Sequence, residues 1–213
     1  MENPVIIFGA NHIGRTAKEI FESNEVVVYG FLDDDKKLHG KDMDDVVILG
    51  STDEDGYLKL IGKKCEAFVA IDENALRKNL VNMIREVRHM QPVNAIHAGS
   101  SVSVKADLGH GNLIDNGVII APGVTVGSYC LLHARAFIGT QATVGNFVQV
   151  GSGALINSGA IIEDEVFIGS GVTIVSGIHI GKGARIGAGS VVIASVKAGD
   201  TVFGNPAHAI KKG

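Results

Sequence analysis

The sequence predicts a small Rossmann-like α/β domain over residues 1–97 followed by a parallel β-helix over 98–213, and three observations predict it. An aliphatic residue recurs every six positions, without a break, from Val102 to Val192. Glycine is abundant, at 28 of 213 residues, yet has no period of three, while tryptophan is absent and aromatics make up only 5%. The first half instead alternates short apolar runs with amphipathic stretches, the pattern of a parallel sheet crossed by helices.

The N-terminal elements follow in order. Residues 4–8 (PVIIF) form an apolar strand. The turn Gly9-Ala-Asn-His-Ile-Gly14 leads into a helical pattern through Ile20 and Phe21. A second strand from Val26 to Leu32 ends in Asp33-Asp34-Asp35. Further strands fit Val46–Leu49, Ala67–Ile71 and Val93–Ile96, and a helix fits Glu73–Met90 with Leu76, Leu80, Ile84 and Val87 on one face. Segment 9–14 misses G-x-G-x-x-G by one residue, because Asn11 stands at the central glycine. Asn tolerates left-handed backbone better than most residues, so the loop is expected to form. The acidic cluster roughly 20 residues later lies where a ribose-binding acid sits in dinucleotide folds. An ordinary strand-to-helix turn beside a solvated acidic loop accounts for the same residues equally well.

In the second half, sixteen successive hexads each carry an aliphatic residue. The next position is glycine eight times: Gly109, Gly127, Gly139, Gly145, Gly151, Gly169, Gly181 and Gly187. Four positions after the aliphatic, the residue is mostly small or β-branched, as at Val118, Cys130, Ala136, Ala142 and Val148. Two inward positions per hexad fit a short strand and a tight corner, with glycine expected where the backbone turns. Three hexads make one triangular coil, and successive coils stack at roughly 4.8 Å.

Composition narrows the function. The net charge is −4 and no basic stripe appears, so nucleic acid is not an expected partner. No apolar stretch reaches the roughly 18–20 residues that span a bilayer, so membrane insertion is not expected. The start MENPVIIFGA lacks a basic n-region and does not read as a signal peptide. Cys65 and Cys130 have neither metal nor redox spacing and read as reduced, buried thiols of a cytoplasmic protein. No three-histidine pattern supports a metal site.

The hexads resemble those of the hexapeptide-repeat acyltransferases, whose fold is a left-handed parallel β-helix. With Gly30-Phe-Leu-Asp-Asp34, Val47-Ile-Leu-Gly50, Ala95-Ile-His97 and a closing Gly204-Asn-Pro-Ala207, nearly the whole chain resembles the sialic-acid O-acetyltransferase and nucleotide-amino-sugar N-acetyltransferase family. Bacillosamine and perosamine N-acetyltransferases belong to it. The resemblance implies a homotrimer with active sites between neighbouring β-helices, acetyl-CoA as co-substrate, and a nucleotide sugar held by the N-terminal domain. The low charge of the faces between Val118 and Gly159 is consistent with burial against another subunit. The resemblance also implies that Gly9, Asn11, Asp33 and Asp34 contact the nucleotide. Ser158, Gly159, Gly171, Ala188 and Gly189 would line the CoA arm, and 204–207 would close over its far end.

One departure touches the chemistry. The family's catalytic histidine and its acidic partner fall on Thr140 and Gln141, and a second family histidine falls on Gln149. Neither Thr nor Gln accepts a proton usefully at neutral pH. The N-terminal loop holds His12-Ile13 in place of the family's Gly-His pair. His133 is the sharpest replacement base: a histidine can titrate near neutrality, this one stands where the repeat usually has glycine, and the family's active-site Asn falls there. It precedes Thr140 by seven residues, about one face round the prism, and a corner histidine packed on a neighbouring subunit is the bland alternative. His97, His110, His179 and His208 are weaker candidates. An amine attacking a thioester gains much from positioning alone. The expected function is therefore an acetyl-CoA-dependent acyltransferase acting on the amine or hydroxyl of a nucleotide-linked sugar. A catalytically impaired homologue that binds ligand or partners is the alternative.

Overall fold

The structure is a computed structural model and describes residues 3–210. It divides into two compact units between Ala98 and Gly99. The first is a sheet of order β3-β4-β2-β1-β5. Strands β1 (Val5–Phe8), β2 (Val28–Leu32), β4 (Val46–Gly50) and β5 (Glu66–Val69) are parallel, and β3 (Asp42–Met43) joins β4 antiparallel. The helices are α1 (His12–Ser23), α2 (Asp55–Leu58) and α3 (Asn74–Arg88). Val5, Ile6, Ile7 and Phe8 are all buried, as expected for a strand covered on both faces. The strand expected at Val93–Ile96 shrinks to β6 (Ala95–Ile96). Neither β3 nor α2 is visible in the apolar pattern.

Helix α3 corrects the expected apolar face. It buries Arg77, Leu80, Val81 and Ile84, while Leu76 and Val87 are 40% and 53% exposed. The stripe is rotated by one residue because Arg77 turns inward. Its Nη1 donates to the carbonyls of Ile71 (2.6 Å) and Asp72 (3.0 Å), and Nη2 donates to Asn74 Oδ1. Buried charge is tolerated when hydrogen bonds meet it in this way at both terminal nitrogens.

The second unit is a left-handed parallel β-helix. Sixteen two-residue strands, β7 (Ser101–Val102) to β22 (Val191–Val192), each begin a hexad. They stack into three faces. The first is β7-β10-β13-β16-β19-β22 and the second β8-β11-β14-β17-β20. The third runs β9-β12-β15-β18-β21 and ends on β23 (Thr201–Phe203) and β24 (His208–Ala209). The second residue of nearly every strand points inward, and so does the residue four later. Val118, Val124, Cys130, Ala136, Ala142 and Val148 are all 0% exposed. Two inward positions are polar. Asn112 donates to Gly127 O (2.9 Å) and accepts from Cys130 N (2.8 Å); Ser190 Oγ accepts from Gly204 N (3.1 Å). Both cysteines are buried, and neither is in a disulfide. Burial, with a smaller push from Glu66, raises the Cys65 thiol pKa, partly offset by Lys64. Among the described residues, no helix is long and apolar enough to cross a membrane.

The corner corrects a second expectation. The turning residue is the third after each aliphatic, not the first. From Gly111 to Gly189 every such position has positive φ. The glycines just after the aliphatic serve a different purpose, close approach of the next coil. A Cβ on Gly139 would lie 2.6 Å from Ser158 N, and one on Gly151 would lie 2.4 Å from Ser170 N.

Candidate active site

In the first unit the predicted residues gather at the carboxyl ends of the adjacent parallel strands β1 and β2, next to the switch point between β1 and β5, where open α/β sheets bind ligands. Gly9 opens the turn at φ +112, and Ala10 N donates to Asp33 Oδ2 (2.8 Å). Asn11 is the N-cap of α1: its Oδ1 accepts from Ile13 N (2.8 Å) and Gly14 N (3.2 Å), and its Nδ2 donates to Ala70 O (2.9 Å). Asn11 is extended, at φ −132, so the left-handed geometry expected of it belongs to Gly9 instead. The two amides that a phosphate would take at this helix start are held by Asn11 itself. Asp34 is directed elsewhere. Its Oδ1 accepts from Thr52 N (2.9 Å) and Oγ1 (2.8 Å), tying β2 to the loop after β4. The structure thus joins Gly9, Asn11 and Asp33 around one turn and sets Asp34 beside it.

In the β-helix each predicted residue lies on one of the three edges. His133 starts the corner between the third and first faces, and Thr140 and Gln141 form the corner between the first and second. One strand, β13 (Phe137–Ile138), separates them, so one copy of the chain does not bring His133 to Thr140. Ser158 and Gly159 stack above Thr140 and Gln141, with Gly159 N donating to Thr140 O (3.0 Å). Gly171, Ala188 and Gly189 continue the His133 edge: Gly153 N donates to Ala134 O (3.0 Å), Gly171 N to Ser152 O (2.9 Å), and Gly189 N to Ser170 O (2.9 Å). The five expected CoA-lining residues therefore divide between the two edges that flank the first face.

These edges differ from the remaining one. On the edge between the second and third faces, His110 N donates to Ser128 Oγ (3.1 Å), Ser128 N to Asn146 Oδ1 (2.9 Å) and Asn146 N to Asp164 Oδ1 (2.7 Å). At the matching positions on the other two edges, the amides of Thr140, Ser158, Ser152, Ser170 and Ala188 donate to no protein group among the described residues.

Several residues at these corners carry no motif. Tyr129, Arg135, Gln141 and Phe147 occupy four successive turning positions at φ +63, +61, +59 and +56, where glycine is the common choice. Non-glycine residues in this region cost roughly 1 kcal/mol each and gather where function demands them. Arg135 bends back over Gly117, and Gln141 over Gly123. Tyr129 and Phe147 pack with ring centroids 4.8 Å apart. The sequence signal for them is a break in glycine at the turning phase. Gln149 meets His133, with Nε2 to Nε2 at 3.2 Å. His179 pairs with Glu163 at 2.9 Å on the outer surface. Among the described residues no group of three or more His, Cys, Asp or Glu could hold a metal ion.

Residues 4–84 match the family model of the PglD N-terminal domain, and residues 159–194 that of the bacterial transferase hexapeptide (six repeats). No curated protein matches the chain by sequence. Among solved structures the chain is similar to PerB from Caulobacter crescentus in complex with CoA and GDP-perosamine, at 25% identity over 99% of each chain with a TM-score of 0.89. A mutant of perosamine N-acetyltransferase from the same organism, in the same complex, aligns at 24% identity over 100% of this chain and 99% of its own, with a TM-score of 0.90. The acetyltransferase domain of PglB from Neisseria gonorrhoeae in complex with acetyl coenzyme A shares the fold, at 21% identity over 99% of this chain and 100% of its own, TM-score 0.89.

Proposed function

We propose that this chain, a hexapeptide-repeat protein with a PglD-type N-terminal domain, is an acetyl-CoA-dependent acyltransferase whose acceptor is the amine, or a hydroxyl, of a nucleotide-linked sugar. The observation that carries it is the end-to-end match, at 25% identity, to PerB with CoA and GDP-perosamine bound. In the first unit, the turn at Gly9, shaped by Asn11 and Asp33, is the seat for the nucleotide, with Asp34 at its margin. Along the β-helix, the donor amides of Ser158 and Ala188, beside Gly159, Gly171 and Gly189, suit a pantetheine arm. That arm carries its own carbonyl acceptors and needs close backbone approach. Unbridged, buried cysteines fit a reducing, cytoplasmic setting.

The working unit is a homotrimer. The outward residues of the first face are Ser101, Ile119, Phe137, Leu155, Thr173 and Val191, a column without charge. Ile119 and Leu155 are 46% and 43% exposed. The second face presents Asp107 and His179, and the third Arg185, in the same register. A threefold axis facing the first faces together sets the His133 edge of one copy beside the Thr140 edge of the next. This removes the separation found within one chain.

In the reaction, the acceptor nitrogen attacks the thioester carbonyl, the C–N bond forms and the C–S bond breaks. One proton leaves nitrogen and one reaches the departing thiolate, giving the N-acetyl product and CoA. His133 is the base that accepts and returns that proton. Thr140 and Gln141 hold the acceptor by hydrogen bonds. These same two residues favour a second reading, a homologue that binds CoA and nucleotide sugar without turnover.

Acetyl-CoA at millimolar concentration should raise Tm, and no shift would count against any transferase. Incubation of acetyl-CoA with GDP-perosamine and other nucleotide amino sugars should release free thiol. His133→Ala should lower kcat about 100-fold. Binding of both substrates with no thiol release would establish the second reading.

A further inference from the structure

We infer that Arg135 of one copy and Lys105 of the partner subunit grip the diphosphate of the nucleotide-linked acceptor across the subunit boundary. Their joint grip rests on the proposed acetyl transfer and its homotrimer. A diphosphate lacks its usual seat in this chain. Phosphates commonly bind the first amides of a helix, but at the start of α1 the amides of Ile13 and Gly14 are held by Asn11. The anion therefore needs cations elsewhere. On the two edges that flank the first face, the lysines and arginines are Lys105 and Arg135. Among the described residues neither forms an ion pair. Cations in higher coils are engaged. Lys182 pairs with Glu165 at 3.5 Å on the remaining edge, and Arg185 lies 4.4 Å over the Phe167 ring on the third face. Asp115, the carboxylate nearest Arg135 on its edge, turns to its own corner, with Oδ1 accepting from Asn116 N at 2.6 Å.

Arg135 also stands where a side chain is costly. The turning residues of its edge are Gly117, Arg135, Gly153, Gly171 and Gly189, all at positive φ, and Arg135 is the one that carries a side chain there, at φ +61. That side chain bends down over Gly117, with Cγ 3.3 Å from where a Cβ on the glycine would lie. The chain climbs one coil in 18 residues, as the register Ile119↔Phe137 shows. Where first faces meet about a threefold axis, coils of equal height meet. The level of Gly117 in one copy then falls between Lys105 and Gly123 in the next. Lys105 lies about two-thirds of a coil lower, roughly 3 Å along the axis. Two like charges at one level repel until an anion joins them. A diphosphate does so, with oxygens for the guanidinium fork and for the ammonium. The level also identifies the anion. On the proposed path the CoA-lining residues climb from Ser158 to Gly189, so the diphosphate of that carrier lies toward the upper coils. Gly189 stands four coils above Gly117, about 19 Å. The anion at the lower level belongs to the acceptor.

The test is calorimetry on the full-length protein with GDP, UDP, CDP and dTDP, each beside its nucleoside, and with acetyl-CoA. Wild type should bind one diphosphate more tightly than the matching nucleoside. Arg135→Gly, which suits the turn, should keep Tm and raise the Kd for that diphosphate about 10-fold. It should leave the Kd values for the nucleoside and for acetyl-CoA alone. Lys105→Gln should raise the diphosphate Kd about 3-fold. Co-expression of the two variants should restore sites of wild-type affinity, because some neighbours in a mixed trimer join an intact Arg135 to an intact Lys105. Weakened binding without such restoration would overturn the grip across the boundary. A purely structural Arg135 would lower Tm and weaken every ligand alike. A loss confined to acetyl-CoA would assign the anion to the carrier and overturn the inference. The two readings fail separately. If no diphosphate binds to wild type, the proposed acceptor falls and the grip with it. If Arg135→Gly transfers acetyl with the wild-type KM for its nucleotide sugar, the grip is wrong and the transferase stands.

Discussion

Along the edge between the second and third faces, Ser128, Asn146 and Asp164 each take an amide hydrogen of the coil below. Along the edge between the first and second faces, Thr140 and Ser158 occupy the matching positions, and their amides donate to no protein group among the described residues. The hexad, the turn and the coil spacing are the same on both edges. What differs is one side chain per corner, whose oxygen meets the amide of the coil below on the first edge and does not on the second. Unmet donors on a surface are a cost only when nothing arrives to meet them. One edge is thus finished scaffold, and the other presents donors that no protein group meets among the described residues. The same contrast explains why the proposed CoA-lining residues fall on two edges and avoid the third.

The largest expected effect tests whether the open edges are as tightly stacked as the sealed one. Gly151 and Gly153 share a corner and differ in what they require. A Cβ on Gly151 meets Ser170 N at 2.4 Å, a backbone atom that moves only if the coils separate. Gly153 has φ +67 and nothing within 4 Å. Gly151→Ala should cost about 3 kcal/mol and Gly153→Ala about 1 kcal/mol, read from urea melts. Equal costs would mean that coil approach does not fix glycine at the first position.

A second experiment converts one edge into the other. Asp164 caps Asn146 N from the coil above, and Ser158 stands in the same relation to Thr140. Ser158→Asp should close the Thr140 amide and put a carboxylate in the path of the thioester carrier. The Kd for acetyl-CoA should rise about tenfold, about 1.4 kcal/mol, with stability unchanged or higher. Unchanged affinity by calorimetry would remove this edge from the cofactor path. The converse change is smaller. Asp164→Ala should cost about 1 kcal/mol of stability and leave acetyl-CoA binding untouched; weakened binding would show that the sealed edge also meets the ligand.

How much of this was legible depends on the range of the interaction. The hexad announces the β-helix because each aliphatic residue fills the same slot in every coil. The phase of the turn is harder to see, because glycine is frequent at two positions for two reasons. It stands at nine of fourteen turning positions, and the five exceptions include Arg135 and Gln141 on the edges that flank the first face and Tyr129 and Phe147 on the edge between the second and third faces. In α3 the burial of Arg77 defeats an apolar-face reading, since the carbonyls it meets, Ile71 and Asp72, lie in a loop where the apolar pattern carries the strand on to Ile71, while β5 ends at Val69. The helical pattern after the Gly9 turn was readable from local residues, but the role of Asn11 as its cap was not: an Asn at a glycine position reads as left-handed, and its grip on Ala70 spans 59 positions. His133 and Gln149 stand 16 residues apart and meet only because one coil brings the chain back on itself.

The smallest effect asks whether a carboxylate cap of the Asp164 kind behaves similarly in the other unit. Glu73 caps α3, its Oε1 accepting from Ala75 N (2.8 Å) and its Oε2 from Leu76 N (2.7 Å). The Leu76 and Ala75 amides, with a smaller contribution from Arg77, hold its pKa below the ordinary glutamate value despite a slight opposing effect of burial. A depressed folded pKa means that the contribution is present above the unfolded value, about 4.3. It fades as pH falls through the folded one. Glu73→Gln removes the titration and keeps one acceptor. The stability gap between wild type and variant should be open at pH 7, persist at pH 5 and narrow toward pH 3 in parallel urea melts. A gap independent of pH would show that the cap acts through shape and hydrogen bonding alone, with no share from its charge.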